Sequence, residues 1–310
     1  MNIWSNPVLL QELRRRMRGN RAMIILTIYL VLISLITLLI YLAFYSSSGA
    51  SPDIEDGRTI GKAVFITVIV TAMIQVCIIT PSLTAGTVAG EKERQTYDLL
   101  ITTLLSPWEI VLGKLVSALA YATLLVLSVL PLAGVAFLFG GVSGTELVLA
   151  IIMLLVTVLF CAAVGMFWSV VAGTTLAATV RAQASIILLL LIVPFLFVVA
   201  AIAQLDRWDF MENLFNIPIF VYAAGAVVCF HPFIAFALTE AALSEGKEPF
   251  FFTIDPGRGD ILVPSPWLAY TFLALVVTAV LLAISVRLLK PVQYGTTRRN
   301  RPQKNRAVVG

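Results

Sequence analysis

Residues 147–172 read LVLAIIMLLVTVLFCAAVGMFWSVVA, 26 residues without Asp, Glu, Lys or Arg. A helix at the surface of a soluble protein alternates an apolar stripe with a charged face. This run has no charged face. A helix that crosses ~30 Å of hydrocarbon needs about 20 apolar residues, and at ~1.5 Å per residue this run is about 39 Å long. It reads as a membrane span. The helix is the expected form, because in lipid every backbone N–H and C=O must find its partner within the segment.

Five further stretches share the property: about 22–45, 63–89, 115–139, 183–205 and 267–286, all free of charge inside. Composition agrees. The 310 residues are 60% hydrophobic and 12% charged, against about 25% charged in a soluble domain. The predicted fold class is an all-α membrane protein with six transmembrane helices, forming one transmembrane domain over 1–310. The first run follows Arg14, Arg15, Arg16, Arg18 and Arg21 and is 24 residues long. A signal peptide has an apolar region of roughly 7–15 residues, so this run is read as a retained span.

Orientation follows from Lys and Arg, which favour the cytoplasmic side. With the amino end cytoplasmic, the cytoplasmic pieces hold 16 of the 21 basic residues, seven of them from Arg287 onward. Arg181 falls in the connection between the fourth and fifth spans. The outer pieces hold 12 of the 17 acids. The expected location is the cytoplasmic membrane, multi-pass, with both termini cytoplasmic.

Three segments between the spans carry structure of their own. Residues 6–19 predict an interfacial amphipathic helix, with Asn6 as N-cap, Pro7 at N1, and arginines toward anionic lipid. Residues 206–266 form an outer insert. Within it, 213–239 lack charge but contain Pro218 and the pair His231-Pro232. Proline breaks a helix and restricts the residue before it. Two short helices broken near His231, dipping into the membrane and returning, are therefore preferred to a seventh crossing. That crossing would also place the basic carboxyl tail outside.

The third segment, 90–106, follows the second span. Tyr97, Leu100, Ile101 and Leu104 share one helical face, while Glu91, Glu93, Arg94, Thr96 and Asp98 make the rest polar. It is too short to span. Ser106-Pro107-Trp108-Glu109 is a capping box with Pro at N1, so a new helix starts at Pro107 and runs into the third span. A short exposed helix with one apolar face calls for a protein partner.

Chemistry-bearing residues are sparse. One histidine and the three cysteines Cys77, Cys161 and Cys229 make no metal-ligand cluster, so no metal or cofactor is expected. His231 reads as a helix-break residue. Gly57-Arg58-Thr59-Ile60-Gly61-Lys62-Ala63 lacks the spacing and the Ser/Thr of a phosphate-binding loop. No nucleotide, nucleic-acid partner or catalytic set is expected. Ion-coupled carriers keep ionisable residues inside the membrane; the bare spans here argue that the energy for any transport comes from another subunit. Thr67, Thr71 and Gln75 form a polar stripe on the second span that either lines a translocation path or bonds between packed helices. Cys161, Gly165, Ser169 and Gly173 form a small-residue stripe that permits close helix approach. Trp4, Trp108, Trp208 and Trp267 suit the membrane interfaces.

The run Glu91-Lys92-Glu93-Arg94-Gln95-Thr96-Tyr97-Asp98-Leu99-Leu100, then Ser106-Pro107-Trp108-Glu109-Ile110 and Gly113-Lys114, resembles the membrane subunits of the type-2 ABC transporter permease family. That family usually has Gly where Gln95 stands and often Pro near Leu105. The resemblance implies an ATP-driven permease, usually an exporter, with no ATPase activity of its own. It implies that Glu91, Glu93, Arg94, Thr96, Tyr97, Asp98, Leu100, Ile101 and Leu104 belong to a coupling helix docked on a separate ABC ATP-binding subunit. It implies a second permease subunit, identical or related, and re-entrant helices in the outer insert that close the outer side. Membrane lipid is the remaining partner. The alternative reading is a non-transport scaffold or assembly factor of the membrane.

Overall fold

The computed structural model describes residues 20–47, 54–97, 106–204, 218–254 and 261–289. The interfacial helix expected over 6–19 lies outside them, as do Asp98, Leu100, Ile101 and Leu104, Trp4, Trp208 and the basic tail beyond Leu289.

Nine helices and one hairpin appear among the described residues. They are α1 (Asn20–Ser47), α2 (Ile54–Glu93), α3 (Pro107–Leu127), α4 (Leu130–Leu138), α5 (Gly144–Val171), α6 (Thr175–Gln204), α7 (Pro218–Cys229), α8 (Pro232–Ser244), β1 (Phe251–Ile254), β2 (Ile261–Pro264) and α9 (Pro266–Leu288). Among the described residues five helical stretches are long and apolar enough to cross a membrane, α3 and α4 together making one of them, or six if the bent pair α7–α8 is counted as one span. The protein is an all-α membrane protein. The first expected span falls in α1, whose apolar part is Thr27–Ala43.

Local chemistry sets the helix starts. Ser106 and Glu109 form the expected capping box at α3, and Ser143 and Glu146 form a second one at α5. Each box satisfies two backbone donors that a helix start leaves open. Proline occupies the first position of α3, α7, α8 and α9, where its missing N–H costs nothing.

The α5 helix lies at the centre, packed on α2, α3, α6 and α9. Its small-residue stripe makes the tightest approach. A Cβ on Gly165 would fall 2.0 Å from Thr84 Oγ1 and 2.5 Å from the Pro81 carbonyl oxygen. Cys161 and Ser169 are buried in the same contact, whereas Gly173 has open space around it. Pro81 cannot donate to the helix ladder, and α6 covers this stretch. Gln183 Nε2 donates to the Ile78 carbonyl and, at 3.0 Å, to Ser82 Oγ.

Large apolar side chains point outward from α1, α6 and α9, among them Leu35, Leu38, Leu188, Leu191, Phe195, Phe272 and Val280, all more than half exposed. Water would not tolerate such a surface; lipid does.

Four local features differ from the sequence reading. The third span is interrupted at 128–129 between α3 and α4, because Pro131 ends the regular ladder of the preceding turn. Arg181 sits within α6, exposed, with its guanidinium 5.7 Å from the Trp168 ring centre; the connection itself is only 172–174. The outer insert contains an antiparallel hairpin pairing Phe251 with Pro264 and Ile254 with Ile261. Trp267 is buried and donates its indole N–H to the Pro249 carbonyl at 2.5 Å, so it holds the hairpin to α9. Trp108, by contrast, is 46% exposed.

Candidate functional site

The segment singled out by the sequence begins where α2 ends. The helix runs through Glu91 to Glu93 and stops in a hydrogen-bonded cap. Thr96 N donates to the Glu91 carbonyl at 2.9 Å, and Gln95 N donates to that of Lys92 at 3.1 Å. Gln95 has φ 59°. This is the αL stop that usually carries glycine, which explains physically why glycine suits this position in the resembled pattern.

Four ties hold this end to the rest of the bundle. Lys114, buried in α3, donates to the Thr87 carbonyl at 3.1 Å and lies 3.4 Å from Glu91. Ser169 Oγ accepts from the backbone N–H of Val88 at 2.8 Å and of Ala89 at 3.1 Å. Lys92 Nζ donates to the carbonyls of Val170 and, at 3.3 Å, Ala172, which close α5. The Glu93 carboxylate accepts from Thr175 N at 3.0 Å and from its hydroxyl at 2.7 Å, at the first residue of α6. Lys92 also lies 5.5 Å from the Tyr97 ring centre. Thr96 Oγ1 donates to the Glu91 carboxylate. Glu91, Glu93, Thr96 and Tyr97 therefore make contacts within the chain, while Arg94 is exposed.

The opposite end of α2 carries a different arrangement. Lys62 Nζ donates to Glu146 Oε1 at 2.7 Å and also to Glu240. Glu146 and Glu240 are buried, and the half-buried Lys62 joins α2, α5 and α8. Glu146 serves twice, since its other oxygen accepts from Ser143 N at 2.9 Å in the α5 cap. Beside the triad is an open cavity of about 310 Å³, lined among others by Lys62, Ile66, Val70, Phe236 and Glu240. Next to it, Gly61 and Gly141 let α2 and the 139–142 turn touch. A Cβ on Gly141 would lie 1.9 Å from the Arg58 carbonyl oxygen.

The Thr67, Thr71 and Gln75 stripe does not line that cavity; the neighbouring rows at Ile66 and Val70 do. Thr67 donates to its own helix, to the Ala63 carbonyl at 2.8 Å. Thr67 and Thr71 are half-buried. Gln75 is buried, and its Oε1 has no hydrogen-bond partner among the described residues.

His231 stands at the helix break. It caps α8, with Nδ1 accepting from Ile234 N at 3.2 Å, and its Nε2 lies 3.1 Å from the Leu190 carbonyl of α6. With Nδ1 as acceptor, Nε2 carries the proton and donates. The axes of the α7–α8 pair turn through 112° at this point, so the two short helices do not continue along one straight axis.

Sequence reasoning missed Lys62, Glu146, Glu240, Lys92, Lys114 as a tie, and Thr175. Lys92 and Lys114 stood inside the quoted motif, so a signal was present. The triad had none beyond its position next to span ends.

Comparison with known proteins gives one family. The model described as ABC-2 family transporter protein matches residues 56–287, from the start of α2 through the last turn of α9 and well over half of the chain. Comparison with curated proteins gives no match. The matched region contains the end of α2 with its four ties, the Lys62 triad and the bent pair α7–α8. The chain belongs to the ABC-2 transporter family and is a membrane permease subunit of an ABC transporter.

Proposed function

We propose that this permease exports its substrate using ATP hydrolysed by a separate ATP-binding subunit, and that the segment from Glu91 to Leu104 is where the two subunits couple. The chain forms half of the translocation path and pairs with a second permease subunit, identical or related. It sits in the cytoplasmic membrane with both termini cytoplasmic. The bent pair α7–α8 is re-entrant and closes the outer side. Thr67, Thr71 and Gln75 face the path.

The observation that carries this reading is the end of α2. The helix stops in a defined cap at Gln95–Thr96, and the next helix begins at a capping box at Ser106. Between these two stops lies a short segment with an apolar face, too short to span and backed by ties to α3, α5 and α6. A groove on a partner protein supplies the cover that such a face needs. Charge at the rim, from Arg94 and Asp98, sets orientation more than affinity. Loss of one leucine from a well-packed contact costs on the order of 1–3 kcal/mol.

The test is Leu100→Asp together with Ile101→Asp, assayed for co-purification of the ATP-binding subunit. Membrane insertion should be normal, because no span is touched, and co-purification should be lost. Normal co-purification by the double variant would refute the assignment of this segment. Single cysteines at Thr67, Thr71 and Gln75 test the path. Labelling that depends on nucleotide supports it, and uniform inaccessibility assigns the stripe to packing.

A further inference from the structure

Lys92 and Glu93 are consecutive, yet they reach the two sides of one turn. Lys92 takes the last carbonyls of α5, at Val170 and Ala172. Glu93 takes the first N–H of α6, at Thr175. The helix dipole places partial negative charge at a helix C-terminus and partial positive charge at an N-terminus. Each side chain therefore has the sign that its helix end attracts, and exchanging the two would oppose both dipoles. The four open carbonyls and four open N–H groups that every helix leaves at its ends are here partly supplied by the last turn of α2. Contact continues one turn earlier, where the Cβ position of Gly90 lies 3.5 Å from Thr175 Cγ2. Lys92 acts on backbone carbonyls alone, and Glu93 on a backbone N–H together with the hydroxyl of the same residue, Thr175.

We infer that Lys92 and Glu93 form a clasp that makes the last turn of α2, where the coupling segment begins, and the start of α6 one rigid unit, so that a push on the segment is delivered to α6 and not only to α2 and α3. This rests on the assignment of 91–104 as the coupling segment. Lys92 and Glu93 are then positioning residues that act from inside the permease, and the surface offered to the ATP-binding subunit is the remainder of the segment. The clasp stays closed while the subunits work.

The experiment uses the complete complex, with hydrogen–deuterium exchange read by mass spectrometry with and without Mg-ATP. In the wild type, nucleotide should change exchange both at 94–106 and at 175–182. In the complex formed by Lys92→Met with Glu93→Gln, the nucleotide response at 94–106 should stay in place. The response at 175–182 should fall to the nucleotide-free level. Adding Gly90→Cys with Thr175→Cys to that variant restores the tie covalently once oxidised, and the response at 175–182 should return. An unchanged response at 175–182 in the Lys92/Glu93 variant overturns the clasp. So does a disulfide that abolishes the response, because the contact would then have to open. Loss of co-purification in that variant also overturns it, by making the pair a direct contact with the partner. If the wild-type chain co-purifies no ATP-binding subunit, the coupling assignment itself fails.

Discussion

The two ends of α2 are both held by charged side chains, but by different physics. At one end Lys62 stands between the buried carboxylates of Glu146 and Glu240, joining three helices that are far apart in sequence. At the other, Lys92 and Glu93 grip backbone atoms at a turn, with Glu93 exposed. A buried ionic cluster is costly to assemble and more costly to leave incomplete, since removing one partner strands a desolvated charge. A helix-end contact near solvent is cheaper to change in either direction, because water can take over the freed groups. The Lys62 end is thus built to hold one arrangement, including the position of the α7–α8 pair. The Lys92 end, under the proposed function, orients the segment that would meet the ATP-binding subunit.

That contrast can be broken by substitution. Lys62→Met should have the largest effect, a loss of about 3–5 kcal/mol as expected for an uncompensated buried charge, measured by thermal or denaturant unfolding of the purified protein. Adding Glu146→Gln and Glu240→Gln should recover much of it. Lys92→Met should cost only about 0.3–2 kcal/mol, the range for a cation at a helix C-terminus. If Lys92→Met proves the more damaging of the two, the comparison is wrong.

The middle of the helix sharpens it. Gly165→Ala should lose about 1–3 kcal/mol by overpacking, since the new Cβ would lie 2.5 Å from the Pro81 carbonyl oxygen, which belongs to the backbone. Ser169→Ala should cost about 0.5–1.5 kcal/mol, the net contribution of a typical hydrogen bond, here those from Val88 N and Ala89 N. The smallest effect is a gain. Gln95→Gly relieves a left-handed conformation that costs a side-chain-bearing residue about 1–2 kcal/mol. Part of that is returned as chain entropy, so unfolding should shift upward by less than about 1 kcal/mol. A loss of stability on Gln95→Gly would mean that the Gln95 side chain, and not the backbone cap, holds this turn.

Much of the helical frame was legible in the sequence because a lipid solvent demands long uncharged runs, and the runs at 63–89, 147–172, 183–205 and 267–286 fall inside α2, α5, α6 and α9, with a one-residue overrun at the ends of α5 and α6. The capping box at Ser106–Glu109 and the break at His231 were legible for the same reason: each is a local rule about backbone hydrogen bonds. The hairpin does have a signal in the sequence. Phe251-Phe252-Thr253-Ile254 and Ile261-Leu262-Val263 are β-prone runs on either side of Asp255-Pro256-Gly257, the pattern of a hairpin, and the apolar context obscured it.

The triad was not legible. Lys62, Glu146 and Glu240 are separated by 84 and 178 positions from Lys62, and each taken alone looks like an ordinary charge just beyond a span. The clasp was half-legible. Lys92 and Glu93 stood in the motif, but apart from the Thr175 hydroxyl their partners are main-chain atoms of Val170, Ala172 and Thr175, and no residue type marks a carbonyl or an amide as a target.

We propose that the ATP-binding subunit meets α2 at its Lys92 end and not at its Lys62 end. Arg94 and Arg58 are exposed near the two ends of that helix. A photo-reactive amino acid placed at each position in turn, in the intact complex, reads the claim directly. A cross-link to the ATP-binding subunit is expected from position 94 and none from position 58. A cross-link from position 58, or its absence from position 94 in a complex that still hydrolyses ATP, would contradict it.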